Sequence, residues 1–403
     1  MRFHIPKKLT SFFERAGRFC IIATCFFIPL STSFMGLFAA LAALCWVLSG
    51  DIKNFPALLG KNPAVQASTF LFLFFLVGML YSPAGWEEIL DNLKKYRELV
   101  YIPLVVSLVN GHRQTQQRAI LAFGIGCISL LVISYAMTAG LLPTYRYGNS
   151  LVYHITHNFF MAILAFGAAH GLLDAKTPGL RIFWSVVLGA TVVNILYFAP
   201  GRTGMITFFV LTLLFIGQRT SWKTGLLSLA LLTLAVGAAF YTSPTFSGRM
   251  KAAYQEIRTY QPGSARTSMG QRLDWWYDSW QLIKQSPVFG HGTGSFALEH
   301  DELIKKGRVK PTDNPHNEYL FIGVQLGFVG VLAYLGLFIA QWYTALYLPA
   351  QQRWFLQGVV LSMAVGCLAN SFLFDSHQGH YFAFLSGVLL ASPRKRRFVT
   401  TSR

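Results

Sequence analysis

The chain has 403 residues, of which 53% are hydrophobic and only 12% charged, and its mean hydropathy is +0.44. Soluble domains carry about 25% charged residues, so a soluble globular class is excluded and an integral membrane protein is expected. The formal net charge of +18 does not signal nucleic-acid binding, because the basic residues sit in short connections between apolar runs rather than on one soluble module.

At the N-terminus, Arg2, Lys7, Lys8, Arg15 and Arg18 precede the first apolar run. This layout reads as a retained signal anchor, since no A-x-A cleavage pattern follows. Apolar runs then predict helices at 19–33, 34–49, 64–81, 98–109, 119–139, 157–173, 182–199, 204–217, 224–242, 318–348, 354–373 and 380–392. The fold class is therefore all-α integral membrane, with about twelve transmembrane helices and none of the alternating polarity a β-barrel needs. The first two helices make a tight hairpin around Ser31, Thr32 and Ser33. All of 1–403 reads as one polytopic membrane domain. The cysteines Cys20, Cys25, Cys45, Cys127 and Cys367 fall inside apolar segments, as small core residues rather than a disulfide framework or metal site.

Every second connection is basic: the N-terminus, Lys53 with Lys61, Arg113 with Arg118, Lys176 with Arg181, Arg219 with Lys223, and the tail "RKRR" at 394–397. The positive-inside bias then puts both termini in the cytoplasm and sends 82–97, 140–156, 200–203, 243–317 and 374–379 to the far side. The large loop 243–317, between the ninth and tenth helices, is too long for a simple turn. Within it, "SMGQRLDWWYDSWQLIKQSP" spaces Leu273, Trp276, Trp280 and Ile283 as one face of an amphipathic helix. Ser268 with Gln271 suits a capping box, and Pro287 marks the stop.

Arginines on the far side defy that bias. Arg97 stands beside Lys94 and Lys95, Arg146 lies in "TYRYGNS", Arg202 in "APGRTG", and Arg249, Arg258, Arg266 and Arg272 in the large loop. A guanidinium squeezed between two spans, as at Arg202, needs an anion or carboxylate partner. Planar guanidinium groups match phosphate oxygens bidentately, so converging arginines suggest a lipid diphosphate; a headgroup or loop carboxylate is the plainer partner for Arg202. Arg249 and Arg258 read as a solvated face. His316, in "PTDNPHNEYLF", stands at the depth of Arg202 and, as a neutral imidazole, suits a general base near pH 7. The plainer reading of this turn is helix capping, with Asn317 as the cap. "FGHGTGSF" at 289–296 fits neither a P-loop nor a dinucleotide motif, and reads as a turn that lets backbone pass close to another group, with a backbone anion nest as the alternative. No metal-ligand spacing stands out.

Three pieces in this order resemble the O-antigen ligase and polymerase superfamily: "GRTG" at 201–204, "GQRLDWWYDSWQLIKQSPVFGHGTGSF" at 270–296 and "NPHNEYLFIGVQLGFVGVL" at 314–332. The core of the resemblance covers roughly 190–340, and size and layout are most similar to the ligase. The resemblance implies a GT-C-type glycosyltransferase of the bacterial inner membrane, acting on the periplasmic side without metal, cofactor or nucleotide sugar. Its donor would be O-antigen linked to undecaprenyl diphosphate, and its acceptor a sugar hydroxyl of lipid A–core. Carried onto matching positions, His316 becomes the base, and Arg202 and Arg272 the diphosphate-binding groups. Arg146 and Arg97 match more loosely, and Asn317 and Arg266 stand as supporting residues; the role of Asn314 in the turn is left open.

Two alternatives share this chemistry: an O-antigen polymerase extending undecaprenyl diphosphate-linked glycan, and a protein O-oligosaccharyltransferase. A polyanion transporter is a rival of another class. It predicts charges within spans and an internal repeat, whereas here the charges gather at one face.

Overall fold

The computed structural model describes residues 7–144, 148–198, 201–261, 263, 267–304 and 311–391. Among these the fold is all helical, without a sheet. α1 (Lys7–Phe27) and α2 (Thr32–Ser49) form the expected hairpin, and the Ser31 hydroxyl caps α2 by accepting from Phe34 N. A short α3 (Phe55–Leu59) leads into α4 (Pro63–Gly78), whose Asn62 cap and Pro63 start the helix as such residues do. The amphipathic α5 (Trp86–Tyr96) runs into the buried α6 (Glu98–Val109). Next come α7 (Arg113–Thr138), α8 (His154–Asp174) and α9 (Pro178–Val193), which continues as a π-helical turn over Asn194–Phe198. α10 (Arg202–Arg219) and α11 (Trp222–Thr242) close the first part of the chain.

The large loop is not irregular. It carries α12 (Pro244–Arg258), α13 (Ser268–Gln285) and α14 (Phe296–Ile304) before the long α15 (Glu318–Ala345). α16 (Ala350–Gly366) and α17 (Ser376–Leu390) complete the bundle. α8 packs between α9 and α10, α15 packs against α4, α13 and α16, and α17 lies on α6. One large apolar core runs through these contacts, and all five cysteines are buried and unpaired in it or beside it.

Each expected helix has a counterpart. Among the described residues, seven helices are long and apolar enough to cross a membrane: α2, α4 with its following turn, α7, α8, α9 with its π turn, α11 and α15. The other expected spans are shorter or charged. α6, α16 and α17 have 12, 17 and 15 residues. α1 contains Glu14, Arg15 and Arg18, and α10 begins and ends on arginine.

Two local expectations are corrected. The helix expected to run unbroken over 318–348 is broken at Gly327, whose φ of 64° and ψ of −165° leave the helical region. The chain at 287–294 fills the break: Phe328 N donates to Pro287 O at 2.8 Å, while His291 N and Gly292 N donate to Val324 O and Gln325 O, each at 2.8 Å. A Cβ on Gly327 would stand 2.3 Å from the Val288 carbonyl oxygen, so only glycine allows this approach. Non-helical backbone at such depth is tolerated where protein supplies its hydrogen bonds. The "GHGTG" stretch is thus the close-approach turn read from sequence.

The second correction concerns α13. Its cap is Thr267, which accepts from Gly270 N at 3.1 Å, rather than Ser268. Its buried face is also rotated from the aromatic stripe, holding Asp274, Trp275, Asp278, Leu282 and Ile283, while Trp280 is exposed. The carboxylates turn inward because partners await them: Tyr260 Oη and Gly263 N donate to Asp274, and His300 lies 3.5 Å from Asp278.

Candidate functional site

The turn before α15 is built around Asn314. Its Oδ1 accepts from His316 N and from Ser371 Oγ, each at 2.7 Å, while Thr312 Oγ1 donates to Asn314 O. Trp276 Nε1 donates to Pro315 O at 2.9 Å, fastening the turn to α13. These bonds hold His316 at φ 53°, the one non-glycine residue with positive φ among the described residues. A side chain in that left-handed region costs on the order of 1–3 kcal/mol and persists only where its surroundings over-determine it. The role of Asn314, left open by the sequence, is this clamp. Asn317 is the cap its position suggested: its Oδ1 accepts from Leu320 N, and its Nδ2 donates to Leu368 O.

The clamp delivers the His316 imidazole into a cavity of about 340 Å³, which Tyr153, Gln271, Arg272, Trp275, Asn370 and Asp375 also line. The imidazole ring lies 5.5 Å from the Trp275 ring. Its nitrogens have no hydrogen-bond partner among the described residues. Burial, and after it the charge of Arg272, pull its pKa down from the ordinary 6.5 to about 4, with Asp313 acting weakly the other way. At neutral pH the ring is therefore uncharged and can accept a proton.

Arg272 reaches the same cavity from α13. Its Nη2 donates to Asn370 Oδ1 at 3.3 Å, and Asn370 Nδ2 donates to Thr203 Oγ1 at 2.9 Å. No carboxylate pairs with Arg272 among the described residues. Burial, then Arg202, lower its pKa against the pull of Tyr153, Asp375 and Glu256. A guanidinium cannot relieve this by losing its proton. It is a held cation with an unmet demand for an anion.

Arg202 stands at the start of α10, where Asn158 Nδ2 donates to Gly201 O at 3.1 Å. Its charge acts on Arg272, but it does not line the cavity. Glu256 of α12 holds it at 3.3 Å and also accepts from Met269 N at the start of α13. The plainer reading of Arg202, a loop carboxylate as partner, is the contact observed. Arg97, at the α5–α6 junction, donates to Lys94 O at 2.5 Å and also stays outside the cavity. Arg146 and Arg266 lie outside the described residues.

Sequence reasoning missed several groups. Asp375 lines the cavity, and burial raises its pKa to about 6, opposed by Lys95 and Arg272. Besides Arg272, it is Lys95 rather than Arg97 that acts on it, with the Lys95 ammonium 5.4 Å from the Phe374 ring centroid. Glu318, fully buried at the start of α15, accepts from Tyr96 Oη at 2.9 Å and from the backbone N–H groups of Leu373 and Phe374. It thereby fixes the segment that carries Asn370 and Asp375. The only advance signal was a carboxylate at the edge of an apolar run. Among the described residues, no cluster of three or more His, Cys, Asp or Glu is arranged to hold a metal ion.

A family model described as O-antigen ligase matches residues 184–335. That stretch contains Arg202, Arg272 and His316 and coincides with the segment on which the sequence resemblance rested. An uncharacterized protein of Haemophilus influenzae is 27% identical over 282 residues, spanning 66% of this chain and 68% of that protein.

Proposed function

We propose that this chain, whose residues 184–335 match the O-antigen ligase family model, is an inverting, metal-independent glycosyltransferase of the bacterial inner membrane. It moves O-antigen polysaccharide from undecaprenyl diphosphate to a sugar hydroxyl of lipid A–core. The observation that carries this reading is that an uncharged imidazole and an under-neutralised guanidinium, His316 and Arg272, line one cavity. The multi-pass helical bundle suits lipid-borne substrates. The family resemblance implies a GT-C-type architecture, the apolar runs imply about twelve spans, and the alternation of basic connections supports cytoplasmic termini and a periplasmic cavity.

In this mechanism His316 takes the proton of the acceptor hydroxyl. The oxygen attacks the anomeric carbon from the face opposite the diphosphate, the bond to the diphosphate oxygen breaks, and undecaprenyl diphosphate leaves with the electron pair. Charge grows on the leaving group as the bond breaks, so Arg272 stabilises the transition state more than the bound donor. Arg202 joins it once the diphosphate draws it from Glu256. Binding the donor also strengthens the base. An imidazole with a pKa near 4 is a weak proton acceptor; diphosphate charge beside Arg272 offsets the repulsion and raises the His316 pKa toward the working pH.

A strain lacking the gene tests the reading. Polymerised glycan should remain on undecaprenyl diphosphate with none on lipid A–core, and wild-type protein, but not His316→Ala, should restore transfer. Short, unpolymerised glycan on lipid A–core would favour the polymerase, and intact lipopolysaccharide would remove both.

A further inference from the structure

A second cavity, of about 700 Å³, lies at the other end of the bundle from His316. It is enclosed by the halves of α7, α8, α9, α16 and α17 farthest from the first cavity. Along α8, Thr156 lines the first cavity and His170 the second, about 21 Å apart at helical rise. Phe123 and Tyr381, which line the second cavity, pack edge-on or tilted against Phe159 and Phe160 and each other, with ring centroids 5.4–6.0 Å apart. The two spaces are separate, and the residues lining them lie toward opposite ends of α8, the helix they share.

The inside of this cleft is apolar, with aromatic walls from Phe166, Phe183, Trp184 and Phe355. Its volume falls within the range of about 300–1,000 Å³ typical of small-molecule sites. The mouth is polar. Gln351 and Asp174 meet there at 3.3 Å, and Arg219 neutralises Asp174. Arg113 lines the same mouth and has no ion-pair partner among the described residues. Ala175 also lines the cavity; Lys176 follows it in sequence and Arg181 Nε donates to its carbonyl at 3.3 Å, so both cations lie next to the lining without being part of it. The rim is thus net positive above an apolar slot.

We propose that this cleft binds one anionic phospholipid from the leaflet opposite the His316 cavity. An acyl chain lies along α8, and the phosphate meets Arg113, Lys176 and Arg181. Bilayer lipid is as apolar as the cleft wall, so chain burial alone gives little preference. Selectivity comes from the rim charges, at about fivefold in affinity for each basic residue near an anionic headgroup. The proposal is independent of the transfer reaction.

The test uses the purified full chain, delipidated in detergent and titrated with phosphatidylglycerol or phosphatidylcholine, with bound lipid counted by native mass spectrometry. Phosphatidylglycerol should bind at least about fivefold more tightly. Gly124→Phe fills the cleft from a position where a Cβ meets open space, and should abolish that binding. Arg113→Gln, at the exposed start of α7, should keep one bound lipid while cutting the preference about fivefold. Equal binding of the two phospholipids, undiminished phosphatidylglycerol binding by folded Gly124→Phe, an unchanged preference in Arg113→Gln, or a polyprenyl lipid as the tightly held occupant would each overturn the proposal.

Discussion

Replacing His316 by glycine separates chemistry from folding. The φ of 53° at this position costs a side-chain-bearing residue on the order of 1–3 kcal/mol, and glycine adopts it without penalty. Against that gain stands the lost ring contact with Trp275, worth about 0.5–1.5 kcal/mol. The variant should therefore melt at or slightly above the wild-type temperature, whereas His316→Ala, which keeps the strain, should melt lower. Activity should move the opposite way, falling about a hundredfold or more with the loss of a general base, and added imidazole should restore part of it. Acid stability provides a second readout. The folded pKa of His316 lies below its ordinary value, so the neutral ring stabilises the fold above about pH 6.5, and that contribution fades as pH falls toward 4. The glycine variant lacks this loss. The assay is transfer by purified protein in parallel with thermal unfolding at several pH values. A folded glycine variant that transfers glycan at near wild-type rate would refute the base assignment, and one that fails to fold would refute the strain argument.

Arg272→Ala should lower kcat about 10²–10³-fold, as when one charge-stabilising donor is removed, and Arg272→Lys should recover only part; an unchanged kcat in a steady-state assay would remove Arg272 from the reaction. Arg202→Ala should weaken donor use, with partial recovery in Arg202→Lys. Because Glu256 holds Arg202 at a partly exposed pair, Glu256→Gln should shift stability by no more than about 1 kcal/mol, and unaltered donor KM in Arg202→Ala would leave Arg202 a purely structural role. In pH profiles, the acid limb of kcat/KM, set by the free enzyme, should lie below that of kcat, because bound diphosphate raises the His316 pKa; coincident limbs near pH 6.5 would contradict the coupling to Arg272. Gly327→Ala should prevent recovery of folded protein in detergent, since its Cβ meets backbone at 2.3 Å; a normal melting curve would refute the break in α15.

The helices were legible because apolar length and turn residues are local signals, as at the hairpin around Ser31. His316 and Arg272 were legible because each departs from its background, an imidazole in a Pro/Asn turn and an arginine against the positive-inside bias. What could not be read depends on distant partners. Asp274 and Asp278 face inward where Tyr260, Gly263 and His300 meet them, so the buried face of α13 is rotated from the expected stripe and shares only Ile283 with it. The break at Gly327 hides inside a continuous apolar run, because the loop that fills it lies more than thirty residues earlier in the chain. Asp375 and Lys95 join the cavity's electrostatics through segments far from α13 in sequence, and no local spacing announces them.

The central claim is most directly tested by mixing the purified chain with defined undecaprenyl diphosphate-linked glycan and lipid A–core in the presence of EDTA, then determining the new glycosidic linkage. The prediction is glycan on lipid A–core with inverted anomeric configuration, undecaprenyl diphosphate released, and no product when His316 is replaced by alanine. Retained configuration, a strict requirement for a divalent cation, or undiminished transfer by the alanine variant would contradict it.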